Sequence, residues 1–221
     1  MPEVPAVPGS AELNTLVADA FADDGPLAGV LSAFEPRASQ RQMAAAVADI
    51  FADGGVLLAE AGTGTGKTLA YLVPAILSGR RVLVSTGTKN LQDQIYHKDL
   101  PALRKALAVP FSATYMKGRG NYLCLHRFDA LRGSDEPLPR VERGYLESLA
   151  EWVRQTETGD RSEVEDLPDD FSRWNDISAT AENCIGTECP QYQDCFVTKM
   201  RQRAAESDLV VVNHHLLCAD A

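Results

Sequence analysis

The sequence has no apolar run approaching the roughly 20 residues that a membrane-spanning helix needs. Its first residues, Met1 to Asn14, carry neither a basic stretch nor an apolar one, so no secretory signal is read there. It has no internal repeat and no low-complexity tract. Core material is not scarce: 45% of the 221 residues are hydrophobic, which argues against global disorder. The missing export and membrane signals point to the cytoplasm, a reducing compartment where disulfides are rare. Five cysteines are therefore read as metal ligands or core residues, and the odd count fits four ligands and one bystander.

A net charge of −10 looks wrong for a nucleic-acid partner, but it is unevenly spread. Residues 1–60 hold 9 acids and 2 bases, and residues 134–194 hold 16 and 5. Between them, residues 61–133 hold 3 acids and 11 bases. Screening confines exposed charges to about 8–10 Å, so this local basic segment decides whether phosphate is attracted.

The spacing of apolar residues predicts a loose tail over 1–10 and a short helix over Ala11 to Phe21, broken by Gly25 and Pro26. Helices follow over Ala38 to Phe51, Lys67 to Leu77, and Lys89 to Leu107 with a break near Pro101. Short apolar runs at Val56 to Ala59, Arg81 to Ser85, Phe111 to Met116 and Leu209 to Val212 read as strands. Strands alternating with helices predict a parallel α/β sheet covered on both faces. About 90 residues lie between the last two strands, too many for a simple connection. They read as an inserted subdomain with one amphipathic helix, Val141 to Gln155. The expected organisation is a tail and short helix over 1–32, a motor domain over 33–116 and 200–221, and a small, mostly helical insert over 117–199.

Glu60-Ala61-Gly62-Thr63-Gly64-Thr65-Gly66-Lys67-Thr68 stands between a predicted strand and a predicted helix, the context of a phosphate-binding P-loop. Its glycines let backbone N–H groups turn toward phosphate oxygens, and the helix N-terminus adds positive potential. Lys67 is placed to reach the β- and γ-phosphates of ATP and Thr68 to put its hydroxyl on Mg²⁺. The strict motif begins with Gly, where this chain has Ala61.

Cys124 lies 59 intervening residues before Cys184. Four residues separate Cys184 from Cys189, and five separate Cys189 from Cys195. The trio sits in polar sequence with Gly186 and Pro190, unlike thiols of an apolar core. Structural zinc usually shows close pairs with two to four residues between ligands; only Cys184 and Cys189 fit, and there is no second close pair. Four thiolates at varied spacing also suit an iron–sulfur cluster, so both metals stay open, with iron–sulfur favoured. Cys218 follows the last strand and reads as a core residue.

Several segments together resemble one family. They are PRASQRQM at 36–43, EAGTGTGKT at 60–68, STGTKNLQDQ at 85–94, KGRGNYLC at 117–124, the cysteine trio, and VVVNHHLL at 210–217. They look like the XPD-like helicases of superfamily 2, in particular their bacterial DinG/YoaA group, from about Ala33 onward. The resemblance implies a RecA-like ATPase moving 5′ to 3′ on single-stranded DNA, with repair or replication proteins as further partners. It implies a 4Fe–4S cluster on Cys124, Cys184, Cys189 and Cys195. It places Arg37 and Gln40 near adenine, and Thr86, Thr88 and Gln92 near the DNA backbone, with a plain strand end as the strong alternative for Thr86. Lys117, Arg119, Asn121 and Tyr122 suit phosphate contact and base stacking, with packing beside the cluster as the alternative for Tyr122. Asn213, His214 and His215 fit a strand-end capping role as well as a ligand contact.

The acidic Asp-Glu-Ala-His box of that family occurs nowhere in the 221 residues. The sequence is therefore expected to be an N-terminal fragment of a longer helicase, inactive alone. The alternative is a module that binds ATP and single-stranded DNA without catalysis.

Overall fold

The computed structural model describes every residue except 1–7, 32, 33, 136, 138, 169, 220 and 221. The expected tail thus lies mostly outside the described residues. The chain divides into two compact units, one running to Tyr115 and resumed at Glu206, the other Met116–Ala205.

The first unit opens with α1 (Ser10–Ala20), which buries Leu13 and Val17 on one face. Pro26 does not merely end it: Pro26 is the first residue of a short second helix, α2 (Pro26–Val30), where its missing N–H costs nothing. Helix α3 (Ala38–Asp53) stops at Gly54, whose φ of 81° suits glycine alone. Helix α4 (Lys67–Leu77) is apolar on most sides and buries six residues from Ala70 to Ile76. After strand β1 (Val82–Thr86) come α5 (Lys89–Gln94), a π-turn over Ile95–Asp99, and α6 (Leu100–Leu107). The break expected near Pro101 is this wider turn just before it, which accommodates a proline that cannot donate to the preceding turn.

Strands β2 (Ala113–Met116) and β3 (Leu209–Asn213) complete a three-stranded sheet in the order β1-β3-β2. β1 and β3 run parallel, with Val82 opposite Leu209 and Thr86 opposite Asn213. All of Leu209 to Val212 is buried, as a central strand requires. Asp208 fixes the start of the sheet by accepting hydrogen bonds from the Ser112 amide at 2.8 Å and the Ser112 hydroxyl at 2.7 Å. Helix α11 (His214–Ala219) follows β3 directly.

Val56 to Ala59 does not form the expected strand and is not in the sheet with Leu209 to Val212. Val56 is 86% exposed and Leu58 93%. A fully apolar strand needs neighbours along its edges and cover on both faces, and no described strand lies beside this one. Cys218 is also exposed, not core, because α11 turns most of its side chains to solvent.

The second unit contains α7 (Leu125–Arg132), α8 (Arg140–Trp152), α9 (Trp174–Ile177) and α10 (Phe196–Glu206). For all its acids it has a core of its own, including Phe128, Leu146, Leu149, Phe171, Trp174, Ile177, Phe196 and Met200. Most of its described acids are exposed, while Asp160 is buried. Short antiparallel bridges pair Tyr122 with Asp160 and Leu123 with Ser178.

Candidate functional sites

The P-loop lies at the N-terminus of α4, as its sequence requires. Gly64 and Gly66 have φ of 77° and 78°, a region other residues enter only with strain. Gly66 is needed twice over, because a Cβ there would stand 2.0 Å from Nε2 of Gln40. Gln40 comes from the first turn of α3, and its Nε2 donates to the Gly66 carbonyl at 3.1 Å. Its Oε1 is buried and has no hydrogen-bond partner among the described residues. Arg37 Nη1 donates to the Gly64 carbonyl. Thr65 Oγ1 donates to Gly62 O at 2.9 Å, closing the turn around Thr63. The Lys67 ammonium folds back on the loop, donating to the Ala61 carbonyl and to Gly62 O at 2.7 Å. Burial pushes the Tyr71 phenol above its ordinary value, with the neighbouring Thr68 side chain acting the other way. The structure therefore brings Arg37, Gln40, Lys67 and Thr68 to one loop. The N–H groups that a helix leaves unmatched at its start, the two glycine turns and one ammonium are the chemistry that can receive a phosphate.

The polar residues after β1 are placed differently from the expectation. Thr86 is 3% exposed and Gln92 is fully buried. Gln92 Nε2 donates to Val211 O at 2.8 Å, and Thr86 Oγ1 donates to Thr88 O and Val212 O. Thr88 Oγ1 accepts from Leu91 N at 3.2 Å and so caps α5. Thr86 and Gln92 thus support the sheet from inside, and only Thr88 faces solvent. At the ends of β1 and β3, Ser85 Oγ lies 2.6 Å from Nδ1 of His214, and Asn213 Oδ1 accepts from His215 N. Asn213 thus takes the capping role.

In the second unit, all four predicted ligand cysteines line one cavity of about 400 Å³. Cys124 stands at the residue before α7, and its N–H donates to Ile177 O at 2.7 Å. Cys189 and Cys195 sit on successive turns, Tyr192 N–H donating to Cys189 O and Lys199 N–H to Cys195 O. Cys184 is exposed. Burial pushes the Cys124 thiol above its ordinary value, and the neighbouring Cys195 and Cys189 push the same way. Among the described residues, no three Cys, His, Asp or Glu side chains are gathered closely enough to hold a metal ion.

The segment leading to Cys124 is pinned throughout. Trp174 Nε1 donates to Gly120 O at 2.7 Å, and Asn121 Nδ2 to Gly118 O at 2.9 Å. Tyr122 is 1% exposed, so it offers no ring face to a base; its hydroxyl accepts from Lys117 N at 3.0 Å. The Lys117 side chain is 4% exposed and paired with Asp160, not open to phosphate. Arg119 and Asn121 remain partly exposed. Sequence reasoning missed Arg127 and Arg201, which line the cysteine cavity. Their signal was position, each within two turns of a cysteine that leads into a helix.

Residues 38–119 match the DEAD/DEAH box helicase family. The chain is 48% identical over 204 residues to the ATP-dependent DNA helicase YoaA of Escherichia coli, covering 91% of this chain and 32% of that protein. It is 43% identical to YoaA of Haemophilus influenzae, over 92% of this chain and 32% of that protein. It is 39% identical to the ATP-dependent helicase DinG of Mycobacterium tuberculosis, over 84% of this chain and 31% of that protein. The chain thus spans about a third of the length of these relatives.

Proposed function

We propose, for a chain that carries a DEAD/DEAH box helicase segment and is homologous to the YoaA and DinG helicases, that it is the ATP-binding and cluster-bearing part of a helicase moving 5′ to 3′ on single-stranded DNA. The observation that carries this reading is the P-loop. Its lysine is held against Ala61 and Gly62 by contacts that phosphate oxygens can replace. Lys67 would hold the β- and γ-phosphates of ATP, and the Thr68 hydroxyl would hold Mg²⁺, which would neutralise the phosphate charge. The buried, unpartnered Oε1 of Gln40 fits an acceptor for the adenine amino group. Arg37 steadies the loop at Gly64.

What supports a cluster reading is that the four cysteines line one cavity of about 400 Å³, and that their varied spacing suits an iron–sulfur cluster better than the close pairs usual for structural zinc. Cys124, Cys184, Cys189 and Cys195 would hold the cluster, which supplies a covalent tie between distant parts of the unit. Arg119 and Asn121 are the residues of the lead-in segment left to meet DNA, with Thr88 in the first unit.

Lys67→Ala in the full-length protein tests the reading. ATP hydrolysis should fall to background, while the fold survives because alanine favours helix. Turnover near normal at saturating ATP would refute it. No Asp-Glu-Ala-His run occurs in residues 1–221, so these residues alone should hydrolyse ATP only at background rates.

A further inference from the structure

The second unit contains a buried ion pair that neither nucleotide binding nor thiol ligation uses. Lys117 Nζ lies 2.8 Å from Asp160 Oδ2, with the two side chains 4% and 1% exposed. Oδ2 has no other hydrogen-bond partner among the described residues. The ammonium also donates to Ser162 Oγ at 3.0 Å, and Ser162 N donates to Asp160 Oδ1 at 3.0 Å.

Removing two charges from water is expensive, and well-packed apolar side chains of similar volume often give equal or better stability. Stability alone therefore does not explain this pair; its geometry offers an explanation. Lys117 and Asp160 are 43 residues apart, and their contact joins the start of the unit to the loop that flanks Cys124. Tyr122 is opposite Asp160, and its hydroxyl accepts the Lys117 N–H. Leu123 N donates to Gly159 O at 2.9 Å, next to Asp160, and Cys124 follows immediately. Tyr122, two residues from the thiol, is thus held by the main chains of Lys117 and Asp160, the two residues whose side chains the ion pair ties together.

We infer that Lys117 and Asp160 are a positioning pair that sets the direction of the Cys124 thiol in its cavity. The inference rests on the reading of that cavity as a cluster site. Neither residue lines the cavity, and both side chains are buried.

The test compares Lys117→Met, Asp160→Asn, Lys117→Arg and the apolar double variant Lys117→Met/Asp160→Leu in the full-length protein. Each is purified anaerobically; iron per chain, the lifetime of visible absorbance in air, and the salt dependence of single-stranded DNA binding are measured. Both single neutral variants should shorten the cluster lifetime alike, roughly ten-fold, as loss of groups that orient metal ligands does. Lys117→Arg should recover most of it. The double variant should fold, by circular dichroism, yet lose the cluster as fast as the single variants. The slope of DNA affinity against salt should not change in Asp160→Asn or Lys117→Met. The inference is overturned if the double variant keeps the cluster as long as the unaltered protein. It is equally overturned if Lys117→Met alone is defective and its salt slope drops by about one, the mark of a lost phosphate contact. If the unaltered protein holds no iron, the reading of the cavity fails first, and that result is distinct from both.

Discussion

The side-chain amide of Gln40 donates to the carbonyl of Gly66 at 3.1 Å, joining the first turn of one helix to the glycine that starts another, 26 residues on. The glycine-rich loop is thus braced from outside itself. Gln40 fills the space that a side chain at position 66 would need.

Gly66→Ala should therefore be costly. The φ of 78° puts alanine in the left-handed region, at a cost of about 1 kcal/mol, and the new methyl displaces Gln40. Gly64→Ala has the same backbone strain but nothing within 4 Å to displace. Titration with a fluorescent ATP analogue should show a distinctly larger loss of affinity for Gly66→Ala than for Gly64→Ala. Equal losses would mean that the Gln40 brace is irrelevant.

Gln92 is a core residue, so Gln92→Ala should act on stability. It leaves the Val211 carbonyl without this donor and opens a small void, costing about 1–3 kcal/mol. Thr88→Ala loses the cap of α5 and should cost about 1 kcal/mol. Thermal melting of the purified protein checks both. An unchanged melting temperature with weakened DNA binding would return Gln92 to the DNA contacts.

Much of this arrangement was legible locally. The bounds of α4 are those read from the sequence, because the P-loop glycines and the apolar run after Lys67 specify a helix start. The apolar runs at β1 and β3 were equally plain. Val56 to Ala59 has the same composition yet stays exposed, since pairing depends on distant neighbours that a short run does not encode. Lys117 and Gln92 were read as surface groups because nothing in a polar residue's own sequence neighbourhood shows that a partner waits inside. Asp160 lies 43 residues from Lys117, and Val211 lies 119 from Gln92.

Cys189→Ser should abolish iron binding, but the core around Phe128, Leu149 and Trp174 should keep residues 122–177 folded. Large side chains of this kind contribute about 1.5–3 kcal/mol each when buried. Hydrogen exchange should accelerate over the exposed stretch 181–195 and much less in α7 and α8. The P-loop should still bind nucleotide. Anaerobically purified unaltered protein should be brown with about four irons per chain. A colourless protein with one zinc would refute the cluster, and general loss of protection in Cys189→Ser would show that the core cannot stand without it.

The most direct measurement is ATP-driven strand separation by the full-length protein on two duplexes, one with a 5′ single-stranded tail and one with a 3′ tail. The account predicts unwinding from the 5′ tail, none from the 3′ tail, and none from either with Lys67→Ala. Unwinding from the 3′ tail, or unwinding that survives Lys67→Ala, would contradict it.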